Sequence, residues 1–153
     1  MILLKYSYSY STLIGYITII TENNFLIKIE FGKVNKEIEK ETILIKEIKK
    51  QIDEYFIGSR KEFEVPIKLI GTDFQIKVWE ELSKIEYGKC ISYQELGERI
   101  GHKNYARAVG MANNKNPIPI IIPCHRVIGK SGHLVGYAGG LDKKQKLLDI
   151  EKQ

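Results

Sequence analysis

The most reactive residues of the chain stand together in Pro123-Cys124-His125-Arg126-Val127. They follow an apolar run broken by two prolines, Asn116-Pro117-Ile118-Pro119-Ile120-Ile121-Ile122. A cysteine in this setting has two readings. Free Cys is among the most buried residue types and packs as a small hydrophobe. Against that, prolines at 117, 119 and 123 stiffen the approach by fixing φ and removing donors. A His and an Arg follow at once, and cationic neighbours lower a thiol pKa from its ordinary value of about 8.5. A cysteine held and activated in this way is a candidate nucleophile. The spacing alone leaves both readings open, because Cys beside His also occurs without chemistry.

The elements that must position Cys124 lie downstream of a composition shift at Ile70-Gly71. Thr72-Asp73-Phe74-Gln75 has the form of a capping box and opens a helix. Phe74, Val78, Trp79, Leu82 and Ile85 share one side of it, and Tyr87-Gly88 closes it. Ser92-Tyr93-Gln94-Glu95 is a second capping box, starting a short helix through Ile100. After a turn at Gly101, Asn104 is the expected cap of another helix, Tyr105 to Asn113. Two short helices around a Gly turn form a helix-turn-helix pattern. The second carries small residues at Ala106, Ala108, Gly110 and Ala112, which let a backbone approach a groove closely, and one long cation, Arg107. Arg107 reads equally as a surface residue paired with a carboxylate. Gly129 to His133 is a loop. In the final helix, Leu141 to Lys152, the residues Lys144, Leu147, Leu148 and Glu151 recur every three or four positions and share a face.

Residues 1–68 carry no chemical motif. Lys5 to Tyr10 alternates with period two, and its tyrosines read as one face of a half-buried strand. Gly15–Thr21 and Phe25–Phe31 are further strands, joined by a hairpin turn at Glu22-Asn23-Asn24. Residues 41–56 are patterned as an amphipathic helix ended by Gly58-Ser59. Phe63 to Leu69 is one more strand candidate, with Pro66 at an edge or bulge. The expected organisation is thus a structural domain at 1–68 and a functional domain at 69–153.

Composition narrows the function classes. With 43% hydrophobic and 28% charged residues the balance is that of an ordinary globular protein. Thr12 to Thr21 is apolar but too short to span a bilayer, so no membrane association is expected. Two cysteines make no disulfide framework and fit a reducing cytoplasm. No Cys or His precedes Cys90, so an N-terminal zinc site lacks its usual ligands. Of the net charge of +5, the excess gathers near Cys124: residues 87–140 hold seven Lys and Arg against two acids. A basic patch beside a reactive thiol suits a polyanion such as DNA.

Pro123-Cys124-His125-Arg126-Val127-Ile128 resembles the active-site signature of the O6-alkylguanine-DNA alkyltransferases. Gly71-Thr72-x-Phe74-Gln75 with Val78-Trp79, Tyr93-Gln94-x-Leu96, Ala106-Arg107-Ala108-Val109-Gly110 and Gly136-Tyr137-x-Gly139-Gly140-Leu141 are similar to further landmarks of that family. The resemblance covers residues 63–153 by motif and the remainder by architecture. It implies an α+β or α/β chain: a small ribonuclease-H-like N-terminal domain without that enzyme's activity, then a mostly helical domain with a helix-turn-helix. The implied function is direct reversal of DNA damage. An alkyl group passes irreversibly from O6-alkylguanine, and from O4-alkylthymine, to Cys124, once per molecule, with no cofactor and no metal. The implied partner is double-stranded DNA bound through its minor groove by a monomer.

Residue by residue, the resemblance makes Cys124 the nucleophile, His125 a base acting through water and Glu151 the group orienting His125. Tyr93 rotates the lesion's phosphate and donates a proton to the base. Arg107 is the finger replacing the extruded nucleotide, and Ala106, Ala108, Gly110 and Arg126 join the DNA contacts. Asn116 holds the turn from the second helix to the active-site strand, and Val127, Tyr137 and Ala138 complete the base pocket. Ala138 stands where some members carry serine, leaving a backbone amide as donor to the lesion oxygen. Three other functions share some of these features. A lesion-binding protein of the same fold lacks the cysteine. A helix-turn-helix regulator has no use for Pro-Cys-His-Arg. A cysteine hydrolase leaves the DNA-facing helices unexplained. Cys90 is expected to serve packing alone.

Overall fold

The computed structural model describes residues 3–34, 37–101 and 103–152. The chain divides into two compact units, Met1–Leu69 and Ile70–Gln153.

In the first unit, β1 (Lys5–Thr12), β2 (Gly15–Glu22), β3 (Phe25–Phe31) and β4 (Ile38–Glu39) form one sheet in the order β3-β2-β1-β4. The first three are an antiparallel meander, and β4 adds to β1 in parallel. The β2–β3 turn is Asn23-Asn24, both at positive φ (49° and 65°). This is the mirror-image turn whose twist matches paired strands, and Asn tolerates it. Central β2 is buried on both faces, from Ile17 through Glu22. The helix α1 (Ile43–Phe56) packs on β1 and buries Ile45, Ile48, Ile52 and Tyr55. Tyr6 and Tyr8 are half-buried and Tyr10 is buried, with Lys40 over the Tyr6 ring and Lys49 over Tyr8 and Tyr10. The tyrosine ladder is therefore a covered strand face. The strand expected at 63–69 is reduced to one bridge, Leu26 with Ile67. Pro66 has no N–H for a ladder, and Gln51 engages both backbone groups of Glu64 instead.

The second unit packs α2 (Asp73–Leu82), α3 (Tyr93–Ile100) and α4 (Ala106–Asn114) against one another. The pair β5 (Ile91–Ser92) and β6 (Val127–Ile128), and α5 (Leu141–Ile150), complete it. Thr72 and Gln75 form the expected reciprocal capping box. The helix they open ends at Leu82, short of Ile85; Ile85 is buried in the following turn through its own hydrogen bond to Leu82. Trp79 Nε1 donates to the Ala112 carbonyl at 2.9 Å and ties α2 to α4. Ser92 caps α3 by accepting from the Glu95 amide, while the Glu95 carboxylate holds Arg99. Asn104 does not cap α4. Lys103–Tyr105 winds as a 3-10 turn that runs directly into Ala106, so the start of α4 carries no side-chain cap. No described helix is long and apolar enough to cross a membrane.

Candidate active site

Cys124 does not lie on a strand. Cys124–Arg126 is a 3-10 turn, and β6 begins only at Val127, pairing in parallel with Ile91. The proline-rich approach explains this. Pro117, Pro119 and Pro123 cannot donate to a ladder, and Ile120 between them takes φ +76°, rare for a β-branched residue. Asn116 fixes the segment by donating from Nδ2 to the Ile122 carbonyl (2.8 Å) and accepting from the Ile118 amide (3.0 Å). Asn113, on the buried face of α4, donates to the Cys124 carbonyl at 3.4 Å. Sequence patterning missed Asn113, since an Asn on a helix face has no signature.

The thiol is buried, and burial pushes its pKa up from 9.0 to about 11, against smaller lowering effects of Asn116 and Lys144. The lowering expected from His125 and Arg126 is absent because both side chains are committed to Glu151. His125 Nε2 lies 2.6 Å from Glu151 Oε2. Arg126 grips the carboxylate twice, Nε to Oε1 at 2.8 Å and Nη2 to Oε2 at 3.1 Å, and its Nη1 donates to the Ile85 carbonyl at 2.6 Å. The Gly88 amide donates to Oε1 at 3.1 Å. Four donors thus converge on one carboxylate at the end of α5. This also corrects the expected DNA contact of Arg126: its side chain is 7% exposed and held within the protein.

An ionised carboxylate only accepts, so the His125 proton sits on Nε2 and Nδ1 is the basic nitrogen. Burial depresses the His125 pKa, with Glu151 opposing, which keeps the imidazole neutral and able to accept a proton. Lys144, expected on the face shared with Leu147 and Glu151, is fully buried. Its ammonium donates to the carbonyls of Val127 (2.7 Å), Val135 (2.9 Å) and Gly136 (3.3 Å). Buried charges persist where their hydrogen bonds are met, and Lys144 thereby ties β6 to the loop before α5.

A groove of about 380 Å³ lies beside this cluster. The helix α4 supplies Ala106, Arg107, Gly110 and Asn114, α3 supplies Tyr93, and the loop supplies Val135 and Gly136. Arg107 is exposed there. The Tyr93 hydroxyl donates to the Val135 carbonyl at 2.7 Å, and its pKa is raised by burial and then by the neighbouring Cys124. Ala108 is exposed on α4, and Ala138 is exposed and Tyr137 half-buried in the loop; none of the three lines this groove. Val127 is fully buried in β6, supporting the turn of Cys124. Cys90 is exposed, not packed. Among the described residues no cluster of His, Cys, Asp and Glu could hold a metal.

Comparison with known proteins places this arrangement. Residues 73–153 match the family model of the 6-O-methylguanine DNA methyltransferase DNA-binding domain, and residues 4–69 match that family's ribonuclease-like domain. A methylated-DNA–protein-cysteine methyltransferase of Mycobacterium leprae is 54% identical over 102 residues, 67% of this chain and 62% of that protein; the match thus spans less than two thirds of that relative. One from Methanosarcina acetivorans is 43% identical over 144 residues, 90% of this chain and 92% of its own. The crystal structure of Mycobacterium tuberculosis OGT in complex with DNA superposes with a TM-score of 0.90 at 39% identity, covering 96% of this chain and 92% of that one. The chain belongs to the 6-O-methylguanine DNA methyltransferase family.

Proposed function

We propose that this protein repairs alkylated DNA directly, moving the alkyl group from O6 of guanine to Sγ of Cys124, once per molecule. The observation that carries this is the His125–Glu151 contact of 2.6 Å, with a neutral, buried imidazole next in sequence to a buried thiol. His125 Nδ1, through a bridging water, takes the Cys124 proton, and Glu151 stabilises the imidazolium that forms. The thiolate attacks the alkyl carbon in line. The S–C bond forms, the C–O6 bond breaks, and its electron pair returns to the purine. The purine regains a proton at its ring nitrogen by donation from Tyr93, which recovers one from solvent. The sum is thiol plus alkylguanine giving thioether plus guanine. A thioether does not hydrolyse, so each molecule acts once.

The raised thiol pKa fits this scheme, since Cys124 stays protonated and inert until a base is in place. Reaching the alkyl carbon requires extruding the nucleotide. We assign Arg107 to fill its place in the stack, and Tyr93, Ala106 and Gly110 to the minor-groove contact, because they line one groove. Ala108 and Ala138, both exposed, would meet the DNA or the base from outside that groove, and Tyr137 would wall the base pocket, held in place with Asn116 and Val127. O4-alkylthymine offers the same aryl ether chemistry and is a second substrate. Every group invoked belongs to one chain, so a monomer suffices, and a thiol used once needs a reducing compartment, the cytoplasm.

Titrating the protein with duplex DNA bearing a labelled O6-methyl group tests the proposal. Label bound to protein is expected to saturate at one per molecule. Continuing release of label into solution would indicate a hydrolase, and tight binding without transfer a lesion sensor.

A further inference from the structure

We propose that Asn113 is a positioning residue of the transfer reaction. With one N–H its amide nitrogen holds the Cys124 carbonyl, and with the other it stabilises the oxyanion left on Tyr93 when Tyr93 protonates the departing purine. This rests on the alkyl-transfer function proposed above. Asn113 sits on the buried face of α4 with Val109 and Ala112 and is 1% exposed. Such a position is ordinarily apolar. Its Nδ2 donates to the Cys124 carbonyl at a long 3.4 Å, and its Oδ1 is buried without a hydrogen-bond partner among the described residues. An asparagine placed for stability would look like Asn116, whose amide is bonded at both ends, to the Ile122 carbonyl and the Ile118 amide. A buried amide left half unmet detracts from stability. Asn113 is therefore explained by what it adjoins and not by what it holds together.

Two reacting groups adjoin it. One is Cys124, through the carbonyl just named. The other is Tyr93. A Cβ built on Gly110, three residues before Asn113, falls 3.5 Å from the Tyr93 ring, so the ring lies against α4 one turn from Asn113. Burial and then Cys124 raise the Tyr93 pKa, and hydrogen bonding by the Asn113 amide opposes them. The Tyr93 proton is directed at the Val135 carbonyl, 2.7 Å away. When that proton passes to the purine ring nitrogen, the O–H bond breaks, the N–H bond forms and the electron pair stays on the phenolic oxygen. The Val135 carbonyl only accepts, so it cannot stabilise that charge. The Lys144 ammonium stands 5.9 Å from the centre of the Tyr93 ring, but its three N–H groups are taken by the carbonyls of Val127, Val135 and Gly136. Asn113 Nδ2 carries two N–H groups and commits one to Cys124, which leaves the second for Tyr93.

The test is a double-mutant cycle on the rate of methyl transfer from duplex DNA bearing O6-methylguanine, read per folded molecule in wild type, Asn113→Leu, Tyr93→Phe and the double variant. Asn113→Leu keeps the bulk and removes both donors. It is expected to slow transfer by about tenfold, the effect of one hydrogen bond to a charged group, without lowering the denaturation midpoint. In the Tyr93→Phe background no oxyanion forms, so Asn113→Leu should slow transfer no further. A merely structural role would slow transfer by the same factor in both backgrounds. That additive result, a rate in Asn113→Leu within about twofold of wild type, or failure of both Asn113→Leu and Asn113→Ala to fold, would overturn the inference while methyl transfer by the wild type still upheld the function. Absence of methyl transfer in the wild type would overturn both.

Discussion

The two units bury polar groups in different ways. In the first, the buried set is mostly neutral and satisfied locally. Thr18 bonds the Ser9 hydroxyl, the Gly32 carbonyl and the Val34 amide, and Gln51 bonds both backbone groups of Glu64. The carboxylate it buries, Glu22, faces Lys68 at 3.7 Å, and that lysine is 53% exposed, so water shares the charge. The second unit encloses Glu151, His125, Arg126 and Lys144 in one neighbourhood, all 6% exposed or less. Enclosed ion pairs contribute little net stability, because desolvation offsets their attraction. A unit needing only to fold would resemble the first. In the second, His125 and Arg126 follow Cys124 directly in sequence and converge on Glu151, and Lys144 lies near enough to the thiol to oppose the rise in its pKa.

Removing the hub of the charged set is the strongest challenge to this contrast. Glu151→Ala leaves a buried guanidinium without its partner and should cost about 3–5 kcal/mol in denaturant unfolding, with transfer lost. Gln51→Leu in the first unit should cost about 1 kcal/mol and leave transfer per folded molecule unchanged. Equal costs would erase the distinction. Next in size, Arg107→Ala should slow transfer from duplex DNA by about a hundredfold, the equivalent of a few kcal/mol of unpaid unstacking. Transfer from the free alkylated base should be unaffected, and equal slowing of both would remove Arg107 from base extrusion.

Titration sharpens the contrast further. His125 is held below 6.5 by burial. Its native state binds fewer protons than the unfolded chain just below that pH, so its contribution to stability is present above 6.5 and is lost as pH falls through the depressed native value. Cys124 runs the other way. Its pKa rises from 9.0 to about 11, so its contribution is complete below 9 and is lost as pH climbs towards 11. Denaturation midpoints between pH 8 and 11 should fall less in Cys124→Ala than in wild type, and parallel curves would contradict the buried neutral thiol. The smallest effect is expected at the α2 start, where Thr72→Ala removes one side of a capping box and should cost about 1 kcal/mol in thermal unfolding without touching transfer.

Much of this was legible in the residues. Period-two and 3.6-residue patterning located the meander and α1, and the Thr72 box located α2 because its signal is local. The spacing of Lys144, Leu147, Leu148 and Glu151 put them on one face; that this face is buried, charged residues included, is what the structure adds. What escaped were features that depend on distant partners. The Arg126 fork needs Glu151, 25 residues away in sequence, and so appeared as a cation available to DNA. The strand expected at 63–69 failed because Gln51 claimed both backbone groups of Glu64 and Pro66 has no N–H to give a ladder. The activating neighbours of Cys124 were visible, but their commitment to Glu151 was not, and with it went the sign of the thiol's pKa shift.

The most direct test of the central claim is an intact mass of the protein after mixing with duplex DNA carrying O6-methylguanine, followed by peptide mapping. The expected result is one added methyl per molecule, on the peptide containing Cys124, and none in Cys124→Ala. A methyl carried by the exposed Cys90, or no added mass at all, would contradict it.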